Sequence, residues 1–358
     1  MTASAPSAPP ESGPPGSLGD ALSGRDNALN ALRLLLAVAV LVWHSFVVLG
    51  RGADGALAST GATWAVNGFF AISGYLICGS RLRLRWRPFL WRRVLRIYPA
   101  YWVVLAVTGL VFAPLAALLG SGSTSVAAGL DYLVQNSTLW LRRYEVGHTL
   151  MDVPEQGLWN GSLWTLLFEF AAYLAAMVLL GAVFVRRHLT VTLAVLLVLI
   201  TAAGLTGVGS GIQLPMDLLN QGIRLGGCFV AGMLVYSVRF RLPAAWPLAL
   251  ASLVITVGLI ALPGLGHLAS LPLAVALLSL GALLPTRVGA VNDISYGVYI
   301  YAFPVQQLLV VAAGTGWPVW LHALAALGLS VAAAWGSWLL VERPALRLAH
   351  RRRSPRFV

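Results

Sequence analysis

Lysine is absent from this 358-residue chain, so all 24 of its basic side chains are arginine. Charge of any kind is scarce. Charged residues make up 10% of the sequence and hydrophobic residues 58%, whereas a soluble domain carries about 25% charge. That balance excludes a water-soluble enzyme and indicates a polytopic membrane protein. Cysteine occurs only at Cys78 and Cys228, both inside apolar runs. Two such residues form neither a disulfide framework nor a metal site and read as small packing groups. Catalytic signatures of soluble folds are missing as well: no GxSxG elbow, no phosphate loop, no GxGxxG after a strand and no HExxH. The formal net charge of +12 would suit nucleic acid, but the arginines lie between apolar segments, so the lipid bilayer is the expected partner and nucleic acid is not.

What the chain does contain is apolar runs. Ten candidate spans stand at 29–49, 63–80, 97–119, 161–184, 190–209, 217–238, 245–262, 268–285, 293–313 and 318–341. The fold class expected is all-α with about ten transmembrane helices. Arginine orients them. One side receives Arg25, the block Arg81 to Arg96, Arg186, Arg187, Arg239, Arg241, Arg287 and the tail from Arg343 to Arg356. The other keeps Arg51, Arg142 and Arg143, with Arg224 near its end of the sixth span. The arginine-rich side is cytoplasmic by the positive-inside rule, which places both termini there. Residues 1–24 are rich in Pro, Ser, Ala and Gly and read as disordered. The first apolar run is too long for a signal-peptide core and no small-residue cleavage site follows, so it is expected to stay as an anchor. The resulting division is a cytoplasmic tail at 1–26, a membrane domain at 27–348 and a basic tail at 349–358. The longest stretch outside the spans, 120–160, is polar and aromatic, carries sequon triplets at Asn136 and Asn160, and suits either a binding lid or a solvated connector.

Polar side chains inside the apolar runs are costly and mark candidate sites. Arg33 and His44 share the first run. Eleven residues return to within about 20° of the same helix face and rise about 16 Å. Ala37 and Val40 lie between them on that face. His44 titrates nearest neutrality and can take and return a proton. In RLRLRWRPFLWRRVLRIYPAYW, Arg93 and Arg96 sit three residues apart at the mouth of the third span, and planar guanidinium groups suit phosphates. The competing reading of that block is attraction to anionic lipid and topology setting. Glu169, two turns into the fourth span, lies at a depth close to that of His44, so the two are expected in one outer cavity with Glu169 orienting the imidazole. The ninth span opens with VNDISYGVYIYAFPVQQ, whose Tyr296 and Tyr299 are candidate cavity-lining groups; Asp293 reads simply as its N-cap. Glu342 is expected to pair with a neighbouring arginine.

These residues together resemble the acyltransferase-3 family of integral membrane acyltransferases. The resemblance covers about residues 27–348. It rests on six motifs in order: Arg33-x10-His44, NGFFAISGYLI at 67–77, FLWRRVLRIYPAYW with Arg93 and Arg96, SLWTLLFEFAAYL with Trp164, Glu169 and Tyr173, ISYGVYIYAFPV, and VERP. It implies a cytoplasmic acyl-CoA donor, usually acetyl-CoA, with no tightly bound cofactor and no metal. It implies transfer to a hydroxyl on the opposite face of the cell (plasma or inner) membrane, on a sugar of a surface polysaccharide or on a glycosylated molecule. By carry-over, His44 is central to transfer, Arg33, Arg93 and Arg96 are functional, and Trp164 and Glu169 belong to the site. One departure is Ala302, where many members have a histidine.

The reading that follows is an O-acyltransferase. His44 is its general base or a transient acyl carrier, Glu169 and Arg33 assist, Arg93 and Arg96 with Arg33 hold the donor, and Trp164, Tyr173, Tyr296 and Tyr299 contact substrate. The rival is a transporter or flippase that uses the same buried charges as a solute path.

Overall fold

The computed structural model describes residues 16–24, 26–52, 56–208 and 217–351. Among them the regular structure is all helical. In chain order the main helices are α1 (Leu29–Val48), α2 (Ala56–Arg83), α3 (Trp86–Leu118), α4 (Val126–Gln135), α5 (Thr165–Leu179), α6 (Leu189–Leu205), α7 (Leu218–Val238), α8 (Trp246–Ala261), α9 (Gly266–Leu283), α10 (Ser295–Ala313) and α11 (Val319–Leu348). Seven of them, all but α4, α5, α6 and α8, are long and apolar enough to cross a membrane. α5, α6 and α8 are shorter apolar helices that occupy the remaining three expected positions. At 1.5 Å per residue the 15 residues of α5 reach only about 22 Å, less than a hydrocarbon core of about 30 Å. The protein is thus a multi-pass membrane protein with seven candidate spans.

Two expectations are corrected. The third helix begins at Trp86, not near 97. Hydropathy alone rejects an arginine-dense turn, but arginine is a good helix former and its long stem lets the charge leave the apolar layer. Arg93 and Arg96 therefore stand on the helix itself. Secondly, residues 16–22 are not part of a disordered tail. Leu18 is fully buried. The backbone N–H groups of Leu18 and Gly19 donate to the carbonyls of Leu242 and Arg239 at 2.8 and 2.9 Å, and Ala244 N–H donates to Gly16. A single leucine between small residues leaves no periodicity to detect, yet it suffices to seat one turn. Residues 1–15 and 352–358 lie outside the described residues.

The frame around the site is close-packed. α2 makes its most extensive contact with α7, and glycine makes the approach possible. A Cβ on Gly74 would sit 1.9 Å from the Phe229 carbonyl oxygen, and one on Gly232 would sit 2.0 Å from that of Ala71. Small residues let backbones meet in this way where lipid supplies no hydrophobic drive. α10 is the central helix, buried along most of its length and packed on α1, α3 and α11. Its amides act as glue: Gln306 donates to the Leu41 carbonyl (2.8 Å) and Ser45 hydroxyl (2.7 Å), while Gln307 donates to the Glu155 and Leu158 carbonyls (both 2.8 Å).

Those last bonds tie the 120–160 segment onto the bundle. The segment is an ordered cap: Trp159 is fully buried and donates to Thr149 at 3.0 Å. Both sequon asparagines are structural and buried. Asn136 closes a turn by accepting from the N–H groups of Arg142 and Arg143 and donating to the Arg143 carbonyl. Asn160 donates to Thr108 and to the Tyr132 hydroxyl. α3 and α11 each contain a π turn, Thr108–Phe112 and Trp338–Glu342, with a proline two residues beyond. Proline cannot donate to the preceding turn and crowds its carbonyl, and a widened turn accommodates both effects.

Candidate active site

Three cavities border α1. The one toward the C-terminal half of α1, called the outer chamber, is about 300 Å³ and is lined by Val40, Trp43, His44 and Val47 of α1, Glu155 and Leu158 of the cap, Trp164 and Thr165, Arg224 of α7, and Tyr299 and Phe303 of α10. A middle chamber of about 40 Å³ is lined by Arg33, Arg96, Glu169, Tyr296, Thr165 and Tyr299. A third, about 240 Å³, borders the first turns of α1 at Asn30 and Leu34 and touches Arg287, Asp293, Ser295 and Trp335. Arg33 and His44, about three turns apart on one face of α1, thus line two adjoining chambers.

His44 stands edge-on to Phe303, with ring centroids 5.1 Å apart at 80°. Its Nδ1 is buried and has no hydrogen-bond partner among the described residues. An unpartnered buried nitrogen is costly unless something binds there. Trp164 lines the same chamber and is fixed edge-on by Phe168 at 5.6 Å. Val66, Thr165 and Tyr299 border both the outer and middle chambers. The Tyr299 hydroxyl bonds Thr165 Oγ1 at 2.6 Å and donates to the Ser162 carbonyl at 2.9 Å. This tyrosine–threonine pair is the partition between the two chambers.

Glu169 meets an arrangement unlike the one expected. It lines the middle chamber with Arg33 and Arg96, while His44 lines the outer one. Its carboxylate accepts from the Tyr173 hydroxyl, and the Tyr173 ring lies under the Arg93 guanidinium at 5.8 Å. Depth along two helices put Glu169 near His44, but depth carries no information about which way each helix faces.

Asp293 is the residue that sequence reasoning undervalued. It lies one residue before Ile294, the N-cap of α10, and its Oδ1 accepts from the Ser295 N–H at 3.2 Å and the Ser295 hydroxyl at 2.5 Å. Its Oδ2 also binds Arg33 Nη1 at 2.7 Å and Arg96 Nη2 at 2.8 Å. These side chains are only 15–16% exposed. Arg96 further lies 3.8 Å from the buried Glu342 and 5.5 Å over the Tyr296 ring, and Tyr296 donates to the Ile97 carbonyl at 2.9 Å. Two intramembrane arginines demand a counter-ion; that demand was the available signal, and the capping role concealed the answer. Asp293 lines the third cavity while Arg33 and Arg96 line the middle one, so the ion triad separates them. Glu155 and Arg224 were also missed as site residues, because nothing in their local sequence places either beside His44. Partial burial raises the Glu155 carboxyl above its ordinary value.

A buried histidine in one chamber, an arginine cluster in the next and a tyrosine–threonine pair between them make up the candidate site. The sequence pattern of the acyltransferase-3 family, an acyltransferase domain, matches residues 26–340, and the chain belongs to that family. It is an acyltransferase. It is 27% identical over 341 residues to an O-acetyl transferase of Shigella phage Sf6, covering 89% of this chain and 96% of the relative. It is also 27% identical over 372 residues to nodulation protein 10 of Rhizobium leguminosarum bv. viciae, covering 91% and 95%. No solved structure matches the chain.

Proposed function

We propose that the protein is a ten-span O-acyltransferase of the cell membrane with both termini cytoplasmic. It carries an acyl group, acetyl in the simplest case, from cytoplasmic acyl-CoA to a hydroxyl of an extracytoplasmic carbohydrate or glycosylated molecule. The single observation that carries this reading is the pair of adjoining chambers on α1, one lined by Arg33 and Arg96 and the other by His44, with Tyr299 and Thr165 between them. The O-acetyl transferase name of the phage relative supports the acetyl group.

The chemistry follows from that arrangement. Acyl-CoA is a polyanion on a thin arm. Its phosphates compete with Asp293 for Arg33 and Arg96, whose planar forks match phosphate oxygens. Arg93 adds positive charge on the same helix. The 40 Å³ middle chamber has room for a few waters but not for the arm. Donor binding therefore requires the Arg33–Asp293–Arg96 triad to open and the Tyr299–Thr165 pair to part. The acceptor sits in the outer chamber against Trp164. His44 takes the acceptor hydroxyl proton as the oxygen attacks the thioester carbonyl; the C–S bond breaks and the proton leaves with the CoA thiolate. A two-step route through an acyl-histidine gives the same balance. Glu169 and Tyr173 hold Arg93 in place through the ring contact.

A transporter would also use adjoining cavities. The test is release of free CoA from acetyl-CoA by purified protein in nanodiscs, with and without a membrane glycan extract. Acceptor-dependent release is expected, together with a mass increment of one acetyl group on a glycan or glycoside of cells that carry the gene. Solute uptake without CoA release would establish the transporter instead.

A further inference from the structure

The outer chamber holds a cation that acyl transfer to a neutral hydroxyl does not need. Arg224 projects from the second turn of α7 into the chamber that also holds His44. Its Nη1 donates to the Asn67 side-chain oxygen and to the Thr63 carbonyl (3.3 Å), and its Nη2 donates to the Gln221 side-chain oxygen. All three partners are neutral. Among the described residues no carboxylate lies within ion-pairing distance of Arg224, although Arg33, Arg96, Arg143 and Arg287 each have one. A guanidinium has five N–H donors. Three are used by the neutral set, which fixes the plane of the group, and two remain. A buried charge without a counter-ion is costly, and a fixed guanidinium with free donors in a cavity is an oxyanion receptor. Glu155 lines the same chamber from the cap and supplies the opposite sign.

We propose that Arg224 forms an anion subsite, so that the acceptor is an acidic glycan unit presenting a carboxylate or phosphate to Arg224 while its hydroxyl faces His44. This rests on the outer chamber being the acceptor site. Asn67 and Gln221 aim the fork, and Glu155 opposes anions by like charge, which makes the preference adjustable in both directions.

The test is binding, read by isothermal titration calorimetry, in the full chain in nanodiscs without acyl-CoA. The probes are methyl glucuronide, glucose 1-phosphate and the neutral methyl glucoside. Wild type is expected to bind an anionic probe about tenfold or more tightly than the glucoside, as a charge-assisted pair requires. The carboxylate and phosphate probes tell which anion the subsite takes. Arg224→Gln should erase the preference, Asn67→Asp should weaken it by supplying an internal counter-ion, and Glu155→Gln should strengthen it. Because Asn67→Asp and Glu155→Gln move the preference in opposite directions, misfolding cannot imitate the pattern. Equal binding of neutral and anionic probes by wild type, no binding of any anionic probe, or a preference that survives Arg224→Gln would overturn the subsite. CoA release in the same preparation is scored separately: anion binding without it leaves the subsite standing and removes the acyltransferase mechanism, and the converse removes the subsite alone.

Discussion

Replacing Asp293 with Asn tests the centre of the arginine cluster with little change of shape. The variant removes one negative charge that two arginines share on a single oxygen, at 2.7 and 2.8 Å. The two guanidinium nitrogens are therefore at most about 5.5 Å apart, the sum of those distances. Two unit charges at that separation repel by about 3 kcal/mol at an effective dielectric constant near 20. Breaking a buried ion pair by removing one partner costs a similar amount, about 3–5 kcal/mol. Asp293→Asn should thus lower the melting temperature in detergent by roughly 6–10 °C, taking about 2 °C per kcal/mol, the low end of the range because longer chains shift less. A second change, Arg96→Gln, removes one of the like charges and should restore most of the stability. It should not restore acyl transfer, because the donor then lacks a guanidinium. The assay is differential scanning fluorimetry beside CoA release on the two variants. An Asp293→Asn protein that melts within about 1 °C of wild type would refute the triad as a structural element, and an active double variant would refute its role in holding the donor.

Three further outcomes follow from the same geometry. Arg96→Lys should raise the apparent Kd for acetyl-CoA about tenfold, since ammonium cannot reproduce the guanidinium fork; an unchanged titration in a folded variant would leave the arginine with a topological role only. Gly74→Ala forces a methyl group to 1.9 Å from the Phe229 carbonyl, so α2 and α7 must separate at a cost of about 1–3 kcal/mol or more; normal yield and melting temperature would contradict the close helix contact. Glu155 carries a pKa raised by burial. Its contribution to stability is therefore present below the ordinary carboxyl range and is lost as pH rises through the raised value. Melting curves across that window should slope downward in wild type and flatten in Glu155→Gln, whereas parallel curves would place Glu155 in water.

The sequence showed most of the frame and part of the site. Long apolar runs mark helices by length alone, so α1, α7, α9 and α10 lie within two residues of their expected starts. α3 started early because arginine stems hide in an apolar layer that hydropathy averages cannot see. Arg33 and His44 were readable because one helix carries both, and a fixed period places them on one face. Depth alone places Glu169 beside His44, whereas the facing of α5 sets it in the chamber of Arg33 and Arg96. Asp293 looked complete as a cap, and its second oxygen is the group that binds the arginines. Arg224 and Glu155 come to His44 from a helix and a cap more than a hundred residues away, a meeting that only the packing of α1, α2, α7 and the 120–160 segment creates.

The central claim is that His44 moves the proton in transfer of an acyl group from CoA to an acceptor hydroxyl. The most direct measurement is the rate of thiol release from acetyl-CoA by His44→Ala and wild type at equal folded amounts, in nanodiscs with a membrane glycan extract as acceptor. Loss of general acid–base help typically costs about 10²–10⁴-fold, so the variant should fall into that range or below while its melting temperature and acetyl-CoA affinity stay near wild type. Acceptor-dependent release by His44→Ala at the wild-type rate would contradict the account.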